Sequence, residues 1–343
     1  MGPSRREMML TAVAVAATPA LPVAAAPRGA WSEAGLDIFK RRARELGVLG
    51  LVALAGGETI VSDGEVSRVE RIASCRKSFL SALYGMTAEP IDLHQTLAQV
   101  GMDDYSPLTD VEKTATIRDL LMARSGVYIP SSAESPAMKA ARPKRGSHAP
   151  GTFWYYNNWD FNALGEIYQR VTGHSVFTSL EHQLAIPLGW QDFDPMRHAL
   201  FGYDPEAPRL GAYNMWMSAR DMARFGQLFL QRGVWNGKRL IPESWIAEST
   251  RPYSRADRSG LESGYGYLWW GPTTIDGAHP AGIPLGTYLA AGNGGRYIVV
   301  LPSVDAVVAI QPFEEEGRPQ ALLYTDPTAL DRLIKIFLAA HKA

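Results

Sequence analysis

The sequence predicts an α+β fold, an α/β sandwich whose antiparallel sheet is drawn from both ends of the chain and flanked by helices. Three observations carry that expectation. A strand hairpin pattern stands early, helical periodicity broken by Pro/Gly-rich loops fills the middle, and strand patterns return late. The expected division is an export signal over 1–26, a sheet subdomain over 27–77 and 233–343, and an inserted, mostly helical subdomain over 78–232.

Taken in order, Arg5 and Arg6 form a positive start, followed by the apolar run Met8 to Ala17 and small residues from Ala24 to Ala26. Ser4-Arg5-Arg6-Glu7-Met8 also resembles a twin-arginine motif, so an exported, periplasmic or secreted protein is expected. Pro19 and Pro22 break the run, so no stable membrane span is expected once the signal is removed. Glu33 to Leu46 has helical character. Val48 to Ala55 and Thr59 to Ser62, joined by Gly56-Gly57-Glu58, read as a hairpin.

In the middle, Met222, Phe225, Phe229 and Leu230 recur at helical spacing. Strands are then expected at Tyr267–Trp270, Tyr297–Leu301 and Ala306–Ile310, the last two joined by a turn at Pro302 to Asp305. Asp326 as N-cap and Pro327 as first residue predict a final helix with Leu330, Leu333, Ile334 and Phe337 on its apolar face.

Composition narrows the function. The 343 residues carry a formal net charge of -1, without the basic excess of a nucleic-acid binder. Cys75 is the single cysteine, which excludes an intrachain disulfide framework and a multi-Cys zinc site; a buried, unreactive thiol is its expected state. The seven histidines form no H-E-x-x-H, and no G-x-S-x-G elbow occurs. His148 is expected in a surface loop or at the edge of a cleft.

Three short segments carry chemistry. Ser74-Cys75-Arg76-Lys77 is S-x-x-K, and residues three apart share a helix face, so hydroxyl and amine can meet. A serine hydroxyl needs a base, and lysine serves as one once burial or nearby cations disfavour its charged form. Pro150-Gly151-Thr152-Phe153-Trp154-Tyr155-Tyr156-Asn157-Asn158 holds Y-x-N in two registers, Tyr155/Asn157 and Tyr156/Asn158. A tyrosine can relay protons and an asparagine can orient the lysine. Ala290-Ala291-Gly292-Asn293-Gly294-Gly295 leads into a strand and offers Gly292 and Gly294 for close substrate approach. The N–H groups of Ser74 and Asn293 are oxyanion-hole candidates. Taken singly, each segment also has a plain structural reading: a solvated lysine, packed aromatics, a turn. Trp154, Trp159, Trp216, Trp269 and Trp270 are wall or core residues on the same footing.

Together the segments resemble the serine β-lactamase and penicillin-binding family, particularly class C-like esterases and 6-aminohexanoate-oligomer hydrolases. Ser74 to Leu83 looks like the first motif and its continuation, and Thr116-Ile117-Arg118-Asp119-Leu120-Leu121 before Ser125-Gly126 is similar to a second family segment. Leu164-Gly165 stands where the family has a leucine-glycine pair, which selects Tyr156 and Asn158. Ser218 to Gly226 matches further, and the likeness runs from about Gly47 to Ile310.

The resemblance implies a serine hydrolase that forms an acyl-enzyme on Ser74, with Lys77, Tyr156 and Asn158 as partners and no metal or cofactor. One departure qualifies it. Where the family's third motif has Lys or His, this chain has Ala290, followed by Gly292 and Asn293. A substrate carboxylate loses a charge-assisted contact of about 1.5–3 kcal/mol there, so a small ester or amide lacking that carboxylate is the expected substrate. The alternatives are a β-lactamase or D,D-peptidase using another cation such as Arg296, and a non-catalytic binding or sensor protein on the same scaffold.

Overall fold

The structure is a computed structural model that describes residues 30–89, 91–273, 279–312, 321–326 and 328–342. The expected export signal and Pro327 lie outside these residues.

Helix α1 (Glu33–Glu45) starts at Ser32, whose hydroxyl accepts the Gly35 N–H at 3.3 Å, and buries Leu36, Phe39 and Ala43 at helical spacing. Strands β1 (Val48–Ala55) and β2 (Glu58–Gly64) follow as the expected hairpin. Its turn uses Gly56 and Gly57 at φ 57° and 80°, a region glycine enters without a Cβ clash. The chain then leaves the sheet through β3 (Glu70–Arg71) and α2 (Arg76–Gly85).

The intervening region holds α3 (Ile117–Leu121), α4 (Pro136–Ala141), α5 (Asn158–Thr172), α6 (Val176–Leu180), α7 (Ile186–Leu188) and α8 (Pro195–His198). The hairpin β4 (Ala199–Asp204) and β5 (Ala207–Met217) comes next, with β3 on the other side of β5. Then come α9 (Ala219–Leu230), the short hairpin β6 (Val234–Trp235) and β7 (Lys238–Arg239), and α10 (Glu243–Thr250). The chain re-enters the sheet with β8 (Ser254–Arg255), β9 (Gly264–Tyr265), β10 (Trp270–Gly271), β11 (Tyr288–Gly292), β12 (Arg296–Leu301) and β13 (Ala306–Pro312). It closes with α11 (Leu322–Thr325) and α12 (Ala329–Ala339).

The main sheet has eight antiparallel strands in the order β2-β1-β13-β12-β11-β10-β9-β8. The first hairpin therefore pairs with a strand from the far end of the chain, Leu51 opposite Ile310. Strands β12 and β13 are buried on both faces, which is why they read as continuous apolar runs without alternation. One face is covered by α9, where a Cβ on Gly226 would stand 2.6 Å from Val307 Cγ1 and 2.7 Å from Ile298 Cγ2. This helix falls inside the span 78–232 grouped as helical, yet it packs on the sheet. The other side is covered by α1 and α12, joined where Phe337 meets Trp31 at 4.5 Å and Phe39 at 5.0 Å between ring centres.

Two local expectations change. The strand expected at Tyr267–Trp270 keeps only Trp270, because Leu268 adopts φ 63° and breaks the ladder. The Leu268 carbonyl instead accepts the Ser78 hydroxyl at 2.8 Å, tying this segment to α2. The last helix takes Thr328 as its N-cap, and Asp326 sits two residues earlier, accepting the Thr328 N–H at 2.9 Å.

Candidate active site

Ser74 lies in a 3-10 turn, Ala73–Cys75, that runs directly into α2. The turn is pinned on two sides. On one, the Ile72 N–H donates to Met215 O at 3.0 Å in β5. On the other, β11 comes so close at Gly292 that an added Cβ would stand 2.5 Å from Ile72 O and 3.2 Å from Cys75 Sγ. Ala73 is held at φ 46°, a left-handed conformation that costs on the order of 1 kcal/mol for a residue with a Cβ. Cys75 is fully buried, its Sγ lies 3.4 Å from Arg296 O, and burial pushes its thiol up to about 12, so it is an unreactive packing residue.

One turn after Ser74, at the start of α2, the Lys77 amine stands 2.9 Å from Ser74 Oγ, 2.8 Å from Tyr156 Oη and 2.9 Å from Asn158 Oδ1. The side chain is 2% exposed, and its Nζ lies over the rings of Tyr156 and Phe161, 4.4 and 4.5 Å from their centres. Burial holds the Lys77 pKa well below the ordinary lysine value, with the cations Arg76 and Arg258 acting in the same direction.

Burial pushes the Tyr156 phenol up to about 12, opposed by its hydrogen bond with Ser74 and by Arg258 and Arg76. These directions favour a neutral amine beside a neutral phenol at rest, rather than an ammonium–phenolate pair. The Asn158 amide is oriented from behind, since its Nδ2 donates to Ala133 O at 2.6 Å and so turns Oδ1 toward the lysine.

Of the two Y-x-N registers, Tyr156/Asn158 is the one that meets Lys77. Tyr155 donates to Met138 O at 2.9 Å, and Asn157 caps α5 while donating to Val127 O at 2.7 Å. Gly165, in the leucine-glycine pair, lets α5 approach β5: its absent Cβ would be 2.9 Å from Tyr213 Cδ1.

Ser74, Tyr156 and Asn158 line a cleft of about 1320 Å³, together with Gly292 and Asn293. Asn293 is tied down through its Oδ1, which accepts the Tyr324 hydroxyl at 2.7 Å, and its carbonyl, which accepts Arg296 Nη1 at 2.7 Å. Gly294 does not line the cleft. It sits at φ 87°, and Arg296 Nη1 is 2.1 Å from where its Cβ would be, so the turn and the arginine require the glycine. Ala290 is fully buried and presents no charge. Arg296, the alternative cation, is 2% exposed and engaged with the Asn293 carbonyl.

Trp154 and Trp270 form part of the cleft wall, whereas Trp159 and Trp269 are core and Trp216 is half-buried. His148 stacks on Phe153 at 4.0 Å and is not among the lining residues. Among the described residues, no group of three or more His, Cys, Asp or Glu side chains is placed to hold a metal ion.

Sequence reasoning missed Arg258. Its guanidinium lies 4.6 Å from the Trp270 ring centre and 5.9 Å from that of Tyr156, and it pairs with Glu262. No motif surrounds it, and only the path of the loop after β8 brings it to the cleft.

The sequence model of the Beta-lactamase family matches residues 66–312 of this chain. An uncharacterized protein from Alkalihalophilus pseudofirmus is 24% identical over 193 residues, 51% of this chain and 56% of its own length. This chain thus spans little more than half of that curated relative.

Among solved structures, a proposed 6-aminohexanoate-dimer hydrolase from Bacillus anthracis is similar over 88% of this chain and 82% of its own, with TM-score 0.62 and 21% identity. A penicillin-binding protein homologue from Caulobacter crescentus is similar over 92% and 98%, with TM-score 0.61 and 18% identity. An octameric penicillin-binding protein homologue from Pyrococcus abyssi is similar over 88% and 77%, with TM-score 0.61 and 17% identity. At these identities the structural likeness speaks for the fold.

Proposed function

This chain belongs to the Beta-lactamase family, and from that premise we propose that it is a serine hydrolase forming an acyl-enzyme on Ser74 from a small ester or amide. The observation that carries the proposal is the three-way contact of one buried amine with a hydroxyl, a phenol and an amide oxygen. Pure binding does not require that set.

In the proposed cycle neutral Lys77 takes the Ser74 proton as Oγ attacks the carbonyl carbon. The N–H groups of Ser74 and Asn293 receive the developing oxyanion, each such donor worth about 10²–10³ in rate. Collapse breaks the bond to the leaving group, which takes a proton from Tyr156, and the phenol regains one from Lys77. Water then attacks the acyl-enzyme by the reverse proton path and frees Ser74.

Buried, uncharged Ala290 weighs against a β-lactam or peptide whose carboxylate would bind at the third motif. Export is part of the proposal and rests on residues 1–26 alone; a mature N-terminus near Pro27 in the exported protein is the corresponding observation.

The test is intact-mass detection of a covalent adduct across an ester, amide and β-lactam panel, with Ser74→Ala as the control. An acyl increment on the native chain and none on Ser74→Ala is expected. Undiminished turnover by Ser74→Ala removes the serine from the mechanism.

A further inference from the structure

Among the arginines that line the cleft, Arg71, Arg76 and Arg258 are held differently. Arg71 donates to the neutral amide of Asn214 at 3.0 Å. Arg76 donates to Ala73 O at 3.2 Å and stacks on Tyr213 at 5.2 Å. Neither forms an ion pair among the described residues. Arg76 is 2% exposed, with its Nε and Nη2 enclosed and unpartnered, so it adds positive potential without offering a contact.

Arg258 is half exposed at the cleft, as Arg71 and Arg255 are also exposed there, and what sets it apart is its place over the Trp270 ring and 5.9 Å from the centre of the Tyr156 ring. Its guanidinium is fixed by Glu262 and by the Trp270 face at 4.6 Å, and Trp270 itself stacks on Tyr156 at 5.2 Å. Among the described residues, Glu262 is the one carboxylate paired with Arg258. A guanidinium carries five N–H donors in a planar fork, which leaves an edge for a second planar, two-oxygen group. The fork is already ordered, so such a group binds with little loss of side-chain entropy.

Other acids along the rim are occupied or turned to the backbone. Glu134 pairs with Arg142, Asp326 with Arg332, and Asp331 accepts the Leu261 N–H, leaving Asp257 on the outer loop. Ala290 withdraws a cation from the third motif, and Arg258 supplies one on the Tyr156 side, where the proposed cycle protonates the leaving group.

We propose that Arg258 makes this cleft selective for esters or amides whose leaving group carries a carboxylate. The inference rests on the hydrolase reading and names its substrate class. A carboxylate is moved from its expected place rather than excluded.

The acetyl ester of 3-hydroxybenzoic acid and the methyl ester of that compound differ in the charge on the leaving group, and their intrinsic difference in reactivity cancels when the ratio of their rates is compared between variants. The ratio of their kcat/KM values, acid over methyl ester, is expected to fall about tenfold in Arg258→Gln and to recover in part in Arg258→Lys. In a Ser74→Ala background, calorimetry with and without Arg258→Gln is expected to show the same loss of preference in binding. An unchanged ratio overturns the proposal. So does an equal loss on both esters, which would make Arg258 a positioning residue for Tyr156. Should the native enzyme hydrolyse neither ester, the calorimetry still decides whether Arg258 binds the carboxylate, and the adduct panel with its Ser74→Ala control decides the hydrolase reading.

Discussion

Replacing Gly292 with alanine tests how closely the site depends on the contact between β11 and the Ser74 turn. The backbone at 292 is ordinary strand, absent from the positive-φ positions, so alanine brings no torsional strain. What it brings is a Cβ 2.5 Å from Ile72 O, where ordinary contact begins at 3.4 Å. The strand or the turn must give by about 0.9 Å (3.4 less 2.5), and the Ile72 carbonyl is backbone held between two elements.

The next residue is Asn293, whose N–H is a proposed oxyanion donor, so the shift falls on the reacting centre. A displacement near 1 Å costs about 10²-fold in rate, and overpacking costs about 1–3 kcal/mol of stability. The assay is kcat/KM on a 4-nitrophenyl ester, with thermal unfolding to establish that the variant is folded. A folded Gly292→Ala protein retaining activity within about threefold would refute the dependence of rate on this approach.

Two further outcomes follow from the geometry. The base form of Lys77 predominates above its folded pKa, so kcat/KM is expected to fall as pH drops through a value well below the ordinary lysine range, while Tyr156, at about 12, keeps its proton across the working range; an acid limb at the free-lysine value in a pH–rate profile would contradict this. Asn158→Ala and Asn157→Ala are expected to separate function from fold. The first removes one of the three partners of Lys77 and the Asn158 amide from the Ala133 carbonyl, and lowers kcat about tenfold or more. The second removes the α5 cap and costs about 1 kcal/mol or more in unfolding experiments, with kcat of the folded protein little changed; the reverse pattern would mean the registers are misassigned.

Much of the scaffold was legible in residue order because the signals are local. Helix α1 shows its buried stripe at Leu36, Phe39 and Ala43, and the first hairpin shows its turn at Gly56 and Gly57. The bond between Ser74 and Lys77 is local in the same sense, since three residues along a helical turn bring two side chains to one face. Where a tertiary demand overrode the local pattern, the reading slipped. Tyr267–Trp270 has the composition of a strand, but Leu268 is bent to φ 63° while its carbonyl serves Ser78. Gly294 looked like an opening for substrate, and its neighbour across the turn is Arg296.

Sequence alone marked the residues proposed to carry the chemistry, because hydroxyl, amine, phenol and amide are properties of residue types, and their motif spacings recur in a known family. Tertiary structure decided what those groups experience. Lys77 meets Tyr156 across 79 positions, loses its water to burial, and lies under the influence of Arg76 and Arg258. Arg258 reaches the cleft only through the path of a loop. Proton affinity and charge recognition depend on distance and solvent exclusion, and neither is encoded in spacing along the chain.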